Sequence, residues 1–263
     1  MNKTAISIRR TTPWFFMLML VVVTLVVAPV TSAYANDKQE ATQLVEKARL
    51  TLDSFMKDDY MGAFRDLLKK AEGVFIAPQV LKGAFVVGAS GGNGVLLVRD
   101  KKTGHWSAPG FYTIGEASFG LQIGGQASEM ILLLMTDRGV TTLLSNSLKL
   151  GADAGVAAGP IGMGVSAATA NISADVLSFS RSKGLYGGIA LDGAVIAVRK
   201  ALNDAYYGKT VTPSDIFVLH AVRNPQAERL IEDVSKSAGK KAAATEILPQ
   251  AKSGDVYWNE ERS

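Results

Sequence analysis

The residues that most invite a chemical reading are Gly88-Ala89-Ser90-Gly91-Gly92, which fit the G-x-S-x-G pattern of a hydrolase nucleophile elbow, with His220 downstream in the order of a Ser–His pair. That chemistry needs the serine on a sharp turn from a strand into a helix. Here Ser90 is followed by Gly91-Gly92-Asn93-Gly94 and then Val95-Leu96-Leu97-Val98. Paired glycines and Asn-Gly oppose a helix, so the segment reads as a hairpin turn leading into another strand. A serine hydrolase using Ser90 is the third of three functional readings. Metal chemistry has less to build on, because the chain has no cysteine and its two histidines, His105 and His220, have no ligand pattern around them. The glycines at 88–94 lack the Gly-Lys-Ser/Thr ending of a phosphate loop, and no G-x-G-x-x-G opens a helix. Glu116, Glu129, Asp137, Asp153, Asp175 and Asp192 offer carboxylates, but their spacing brings no two onto one site. The reading is of a protein that is not an enzyme and needs no cofactor or metal.

Basic residues are more suggestive, because they cluster. Arg65, Lys69 and Lys70 fall on one helical stretch, Arg99, Lys101 and Lys102 at a turn, and Arg181 and Lys183 in a polar hairpin loop with Ser180 and Ser182. Serine hydroxyls beside two cations suit a phosphate group. The candidate lipid-binding residues are therefore Arg65, Lys69, Lys70, Arg181, Ser182 and Lys183, with Phe64, Leu67 and Leu68 as apolar anchors if they are not buried against the sheet.

These groups have to be positioned by elements, and the first to be set aside is the N-terminus. Lys3, Arg9 and Arg10 precede the apolar run from Trp14 to Val30, and Ala33-Tyr34-Ala35 follows as a small-x-small site. That is the layout of a secretory signal, so residues 1–35 are expected to be removed and the protein to be periplasmic or secreted, peripheral to a membrane at most. The chain has 28 Lys+Arg against 24 Asp+Glu, and the signal takes three basic residues and no acidic ones, leaving a net charge of +1. No nucleic-acid partner is expected from that balance.

Residues 36–72 read as N-terminal helices, with Ala41, Leu44, Val45, Ala48, Leu52, Phe55 and Met56 at three- and four-residue spacing. Residues 73–222 read as a β-rich core of short apolar runs divided by glycines: 84–90, 95–98, 119–123 and 129–135. Asn93-Gly94 and Asp192-Gly193 are read as two-residue hairpin turns, which favours antiparallel pairing. Residues 136–148 are read as a helix ended by Gly151, followed by strands at 152–158 and 165–170 and short helices at 201–207 and 214–219, the second opened by Thr212-Pro213. A last helix, 225–238, precedes a loose tail, 240–263. The fold class is α+β: a glycine-rich, mostly antiparallel curved sheet or partly closed barrel with N-terminal amphipathic helices and short flanking helices.

Several segments taken together carry a resemblance: Gly94-Val95-Leu96-Leu97-Val98-Arg99, Trp106-Ser107-Ala108-Pro109, Gly120-Leu121-Gln122-Ile123-Gly124-Gly125-Gln126, Leu150-Gly151-Ala152-Asp153, Ala158-Gly159-Pro160, and Ser180-Arg181-Ser182-Lys183-Gly184-Leu185-Tyr186-Gly187-Gly188. Between about Glu72 and Val218 the chain resembles the SYLF domain, the yeast-type actin- and lipid-binding module. The resemblance implies a non-enzymatic lipid- or membrane-surface-binding protein. Eukaryotic members bind phosphoinositide membranes or actin and carry an SH3 or FYVE module, which is not read here. For an exported bacterial-type protein the implied ligand becomes an anionic phospholipid of the envelope. Met163 stands where the family commonly has an arginine, so no phosphate contact is carried over to it. The alternative reading is a structural envelope protein that binds an envelope protein partner through its apolar N-terminal helices.

Overall fold

The computed structural model describes residues 14–84, 87–119, 124–145, 147–165, 173–182, 185–187 and 191–239. A long helix, α1 (Trp14–Lys57), leads through a 3-10 turn at Asp59–Met61 into α2 (Gly62–Lys70). Four long strands follow: β1 (Gly73–Ala84), β2 (Val87–Val98), β3 (Gly110–Phe119) and β4 (Gly124–Leu134). Beyond them come α3 (Asp137–Leu143), β5 (Ser147–Lys149), β6 (Val156–Ala158), β7 (Val176–Ser182), β8 (Leu185–Gly187), β9 (Val195–Val198), α4 (Lys200–Tyr207), α5 (Pro213–Phe217) and α6 (Glu228–Ser237). The strands form one curled half-barrel sheet in the order β5-β9-β3-β2-β1-β4-β7-β6, with β8 paired to β7. Among the described residues the strand pairings are antiparallel except β6 with β7, which is parallel.

Over residues 74–77, 95–98 and 130–134 the sheet is covered on both faces, which explains why these stretches read as unbroken apolar runs. Side chains alternate between faces along a strand. Val74, Ile76, Val95, Leu97, Ile131 and Leu133 join a cluster with α1, α2, α4 and α6. Their neighbours Phe75, Leu96, Leu132 and Leu134 join a second cluster with α3, α5 and the β5 and β9 edge. The stripe read on α1 lies in the first cluster, where Ala41, Val45, Ala48, Leu52 and Phe55 are fully buried.

Where turn chemistry was local, the expectation held. Thr212 accepts from the Asp215 amide and Asp215 accepts from the Thr212 amide, a reciprocal cap with Pro213 in the first turn of α5. Other expectations need correction. Asn93-Gly94 is no turn: both lie inside β2, where Asn93 pairs with Thr113 and Gly94 with Tyr112. A side chain at Gly94 would strike the Phe75 ring and the Ile76 carbonyl at about 2.5 Å, so the glycine serves close packing. Residues 84–90, read as one strand, span the end of β1 and the start of β2. Asp192-Gly193 is a turn, across which the Ala194 amide donates to the Leu191 carbonyl (3.0 Å); among the described residues the strand after it pairs with β3 and β5, and residues 188–190 before it lie outside them. The helix at 136–148 stops at Leu143, because Leu148 is claimed by β5 opposite Ile196, and Gly151 (φ +83°) sits in the turn beyond. Of the strand read at 165–170, residues 166–170 lie outside the described residues, as do the tail 240–263 and Lys183.

Candidate functional site

A cleft of about 660 Å³ opens between α1 and the sheet, within the range of small-molecule sites, roughly 300–1,000 Å³. One wall is a helical stripe, Glu40, Gln43, Leu44, Lys47, Leu50 and Thr51, at the three- and four-residue spacing that puts residues on one face. The floor comes from an irregularity in β1. Proline cannot donate to a ladder and is tolerated inside a sheet at bulges. Pro78 lies in a central strand, and the register of β1 slips around it, between Ile76 and Leu81 against β2 and between Ala77 and Val80 against β4. The bulged Gln79 carbonyl presses on β2 at Gly92, where a β-carbon would lie 2.1 Å from it. Gly92 lets the bulge form, and Gly91 beside it adds no side chain to the cleft.

Hydrogen bonds fix both ends of the cleft. At one end the Asn93 amide donates to Glu40 (2.8 Å), and Arg199 from the start of α4 donates to the Asn93 carbonyl oxygen (3.0 Å). At the other, Arg181 of β7 lies directly opposite Glu129 of β4 in the ladder and pairs with it. Arg181 also donates to the Ser54 hydroxyl on α1 and lies over the Phe55 ring, 5.9 Å from its centroid. Buried Thr51 donates to the other oxygen of Glu129 (3.3 Å). Between these ends Lys47 is exposed and has no hydrogen bond or ion pair among the described residues. Leu50 and Leu81, both more than half exposed, stand on the rim.

The described members of the predicted basic set, Arg65, Lys69, Lys70 and Arg181, are engaged or exposed at separate places, and Lys183 lies outside the described residues. Arg181 is in strand β7, not a hairpin loop, and its guanidinium is engaged by Glu129 and Ser54. Ser182, also in β7, accepts from Gln126 (2.7 Å) and donates to the Ala127 carbonyl (3.1 Å). Arg65 donates to the carbonyls of Met56 and Asp58 (3.2 and 2.6 Å), satisfying acceptors left open where α1 ends. Lys69 pairs with Asp66, and Lys70 is exposed. Phe64, Leu67 and Leu68 are buried in the first core cluster, so they cannot insert into a bilayer. The same burial removes the α1 and α2 stripes as a protein-docking face. Arg99 donates to the Leu68 and Lys69 carbonyls, and Lys101 bridges Glu72 and Asp137. Met163 is exposed.

Ser90 lies in mid-strand between Lys82 of β1 and Glu116 of β3. His220 faces Asp100 (3.4 Å), just past the far end of β2. Eight residues of strand separate Ser90 from Val98, on the order of 26 Å. No elbow or Ser–His pair forms. Sequence reasoning missed Lys47, Pro78 and Gly92. A proline inside an apolar strand run was the available signal for the bulge.

Residues 115–237 match the family model for Ysc84, described as a Las17-binding protein actin regulator. This chain carries a Ysc84 (SYLF) domain. Relatives of the domain include the human SH3 domain-containing YSC84-like protein 1, 34% identical over 168 residues, covering 63% of this chain and 48% of that protein. Protein YSC84 of Saccharomyces cerevisiae is 31% identical over 203 residues, covering 73% of this chain and 43% of the yeast protein. LAS seventeen-binding protein 3 of the same species is 32% identical over 191 residues, covering 69% and 41%. The chain spans about half the length, or less, of these curated relatives. The cleft straddles the start of the matched segment: Glu129 and Arg181 fall within it, while the α1 stripe and the Pro78 bulge precede it.

Proposed function

We propose that the protein is a non-enzymatic lipid- or membrane-surface-binding module of the cell envelope that takes anionic amphiphiles at the cleft between α1 and the sheet. The observation that carries this reading is the lining itself: exposed Leu50 and Leu81 together with an exposed Lys47 that has no partner among the described residues. The lining also holds Glu40, Glu129 and Arg181, but these are tied to one another or to neighbours. Lys47 is the charge available to a headgroup. One lysine near an anionic surface contributes about 1 kcal/mol, and covering two half-exposed leucines about 1 kcal/mol each. The sum predicts weak, salt-sensitive association.

The test is co-sedimentation of the full-length chain with vesicles of phosphatidylglycerol or phosphatidylcholine, each variant compared with the parent so that the apolar N-terminal run contributes equally. Lys47→Glu should cut the preference for phosphatidylglycerol about fivefold or more, and Leu81→Asn should lower binding to both vesicles. Equal binding to both lipids, unmoved by Lys47→Glu, would sink the proposal. The names of the relatives favour a second reading, in which the cleft takes a protein partner; vesicle composition would then make no difference.

A further inference from the structure

The bulge in β1 does more than shape the cleft, because it reverses the phase of the strand. Before it, Val74 and Ile76 face the helices, while Phe75 and Ala77 face the second cluster. Strict alternation would put Val80 with Ile76 and Leu81 with Phe75. Instead Val80 is buried in the second cluster, opposite Ser128, and Leu81 comes to the helix side, opposite Ala127. One extra residue is the cause. Pro78 and Gln79 together oppose the single Glu129, and a slip of one residue moves each later side chain to the other face. The cleft therefore receives both Gln79 and Leu81.

Gln79 joins two polar residues of the opposite wall. Gln43 and Lys47 stand four residues apart on α1, which makes them neighbours on one face. Gln43, Lys47 and Gln79 are all exposed, and none has a side-chain hydrogen bond or ion pair among the described residues. The other charged groups of the lining are engaged, Glu40 with Asn93, and Glu129 with Arg181. What remains free is one ammonium and two primary amides. The ammonium matches one negative charge, and the Glu40 and Glu129 carboxylates in the same lining oppose a second. That favours a phosphodiester over a phosphomonoester. A primary amide both donates and accepts, as a hydroxyl does, whereas a phosphate oxygen without a proton only accepts. The amides thus suit a head group that carries hydroxyls.

We propose that the cleft selects a hydroxylated phosphodiester head group, of the phosphoglycerol kind, carried on a lipid. Lys47 meets the phosphodiester charge, the Gln43 and Gln79 amides exchange hydrogen bonds with the hydroxyls, and Leu50 and Leu81 lie against the chains. Gln43 and Gln79 are then the residues that determine specificity. This inference rests on the lipid-binding reading and adds to it which anion is taken.

The test compares binding of the full-length chain to phosphatidylcholine vesicles that contain either phosphatidylglycerol or phosphatidylethanol. The two additives carry the same phosphodiester charge and differ in the hydroxyls. The parent should prefer phosphatidylglycerol about fivefold, roughly what one net hydrogen bond contributes. Methionine is unbranched like glutamine but has no amide, so Gln43→Met and Gln79→Met should each bring that ratio down to about twofold or less. Lys47→Glu should weaken binding to both anionic vesicles alike. Excess soluble glycerophosphoglycerol, the head group without chains, should not displace the protein; displacement would overturn the lipid as carrier of the head group. Equal binding of the parent to both anionic vesicles, with each above pure phosphatidylcholine, overturns the head-group selection and leaves the lipid-binding reading standing. Binding no better than to pure phosphatidylcholine removes both. A preference that survives both glutamine substitutions overturns the role of the amides.

Discussion

Arg181 and Glu129 face each other across the β4–β7 ladder, and through Ser54 and Thr51 the pair fastens α1 to the sheet. Both side chains are about one-quarter exposed. Removing Arg181 leaves a partly buried carboxylate facing α1, which costs about 1.5–3 kcal/mol. Arg181→Ala should therefore lower the melting temperature by roughly 3–12 °C, at about 2–4 °C per kcal/mol for a domain of this size. Loss of vesicle binding with an unchanged melting temperature would instead make Arg181 a ligand contact.

The bulge predicts a contrast between two glycines. Gly92→Ala places a methyl 2.1 Å from the Gln79 carbonyl, whereas Gly187 in β8 has nothing within 4 Å of the same atom. Overpacking against backbone costs about 1–3 kcal/mol or more, so the urea midpoint should fall clearly for Gly92→Ala and stay near the parent for Gly187→Ala. Similar midpoints for the two would mean that β1 does not press on β2 as described.

Much of this was legible locally, and the misreadings share one cause. The α1 stripe and the Thr212-Pro213 cap depend on neighbours within a turn or two. Asn-Gly was read as a turn because glycine's lack of a side chain permits both a left-handed backbone and a close approach, and the Phe75 ring that demands the second is 19 residues away. Ser-Arg-Ser-Lys-Gly was read as a loop because it is polar. The carboxylate that makes Arg181 a strand residue is Glu129, 52 residues earlier. The short parallel β6 has no periodicity to betray it.

Stability should respond to acid through carboxylates of opposite sign. The Thr103 amide, then the Thr103 hydroxyl and the Lys102 amide, hold the Asp100 carboxyl down at about 2. Between there and the ordinary value near 3.9 the unfolded chain binds more protons, so this contribution is present above about pH 4 and lost as pH falls. Glu72 runs the other way: burial, then the adjacent Asp137 carboxyl, raises it, and its contribution is lost as pH rises. Asp100→Asn should flatten the fall in melting temperature below pH 4, whereas Glu72→Gln should leave that fall unchanged and raise the melting temperature relative to the parent as pH climbs above the ordinary glutamate value near 4.3. The reverse pattern would contradict the assignment of partners.

Ser90→Ala should leave the free energy of unfolding from urea titration within about 0.5 kcal/mol of the parent, and a fluorophosphonate probe should not label Ser90. Labelling that the mutation abolishes would restore the hydrolase reading.

The two-sided covering of β1 and β2 stops partway along each strand, and this divides their amides into two populations on one continuous ladder. From Val74 to Ile76 and Val95 to Leu97, release of a proton to solvent requires dismantling both apolar clusters, so exchange there follows global unfolding. From Leu81 to Ala84 and Val87 to Gly91, local fraying suffices. Native-state hydrogen exchange should therefore change by orders of magnitude within a single strand, with the step at Pro78 and Gly92. The bulge that floors the cleft would also be the seam at which the sheet comes apart.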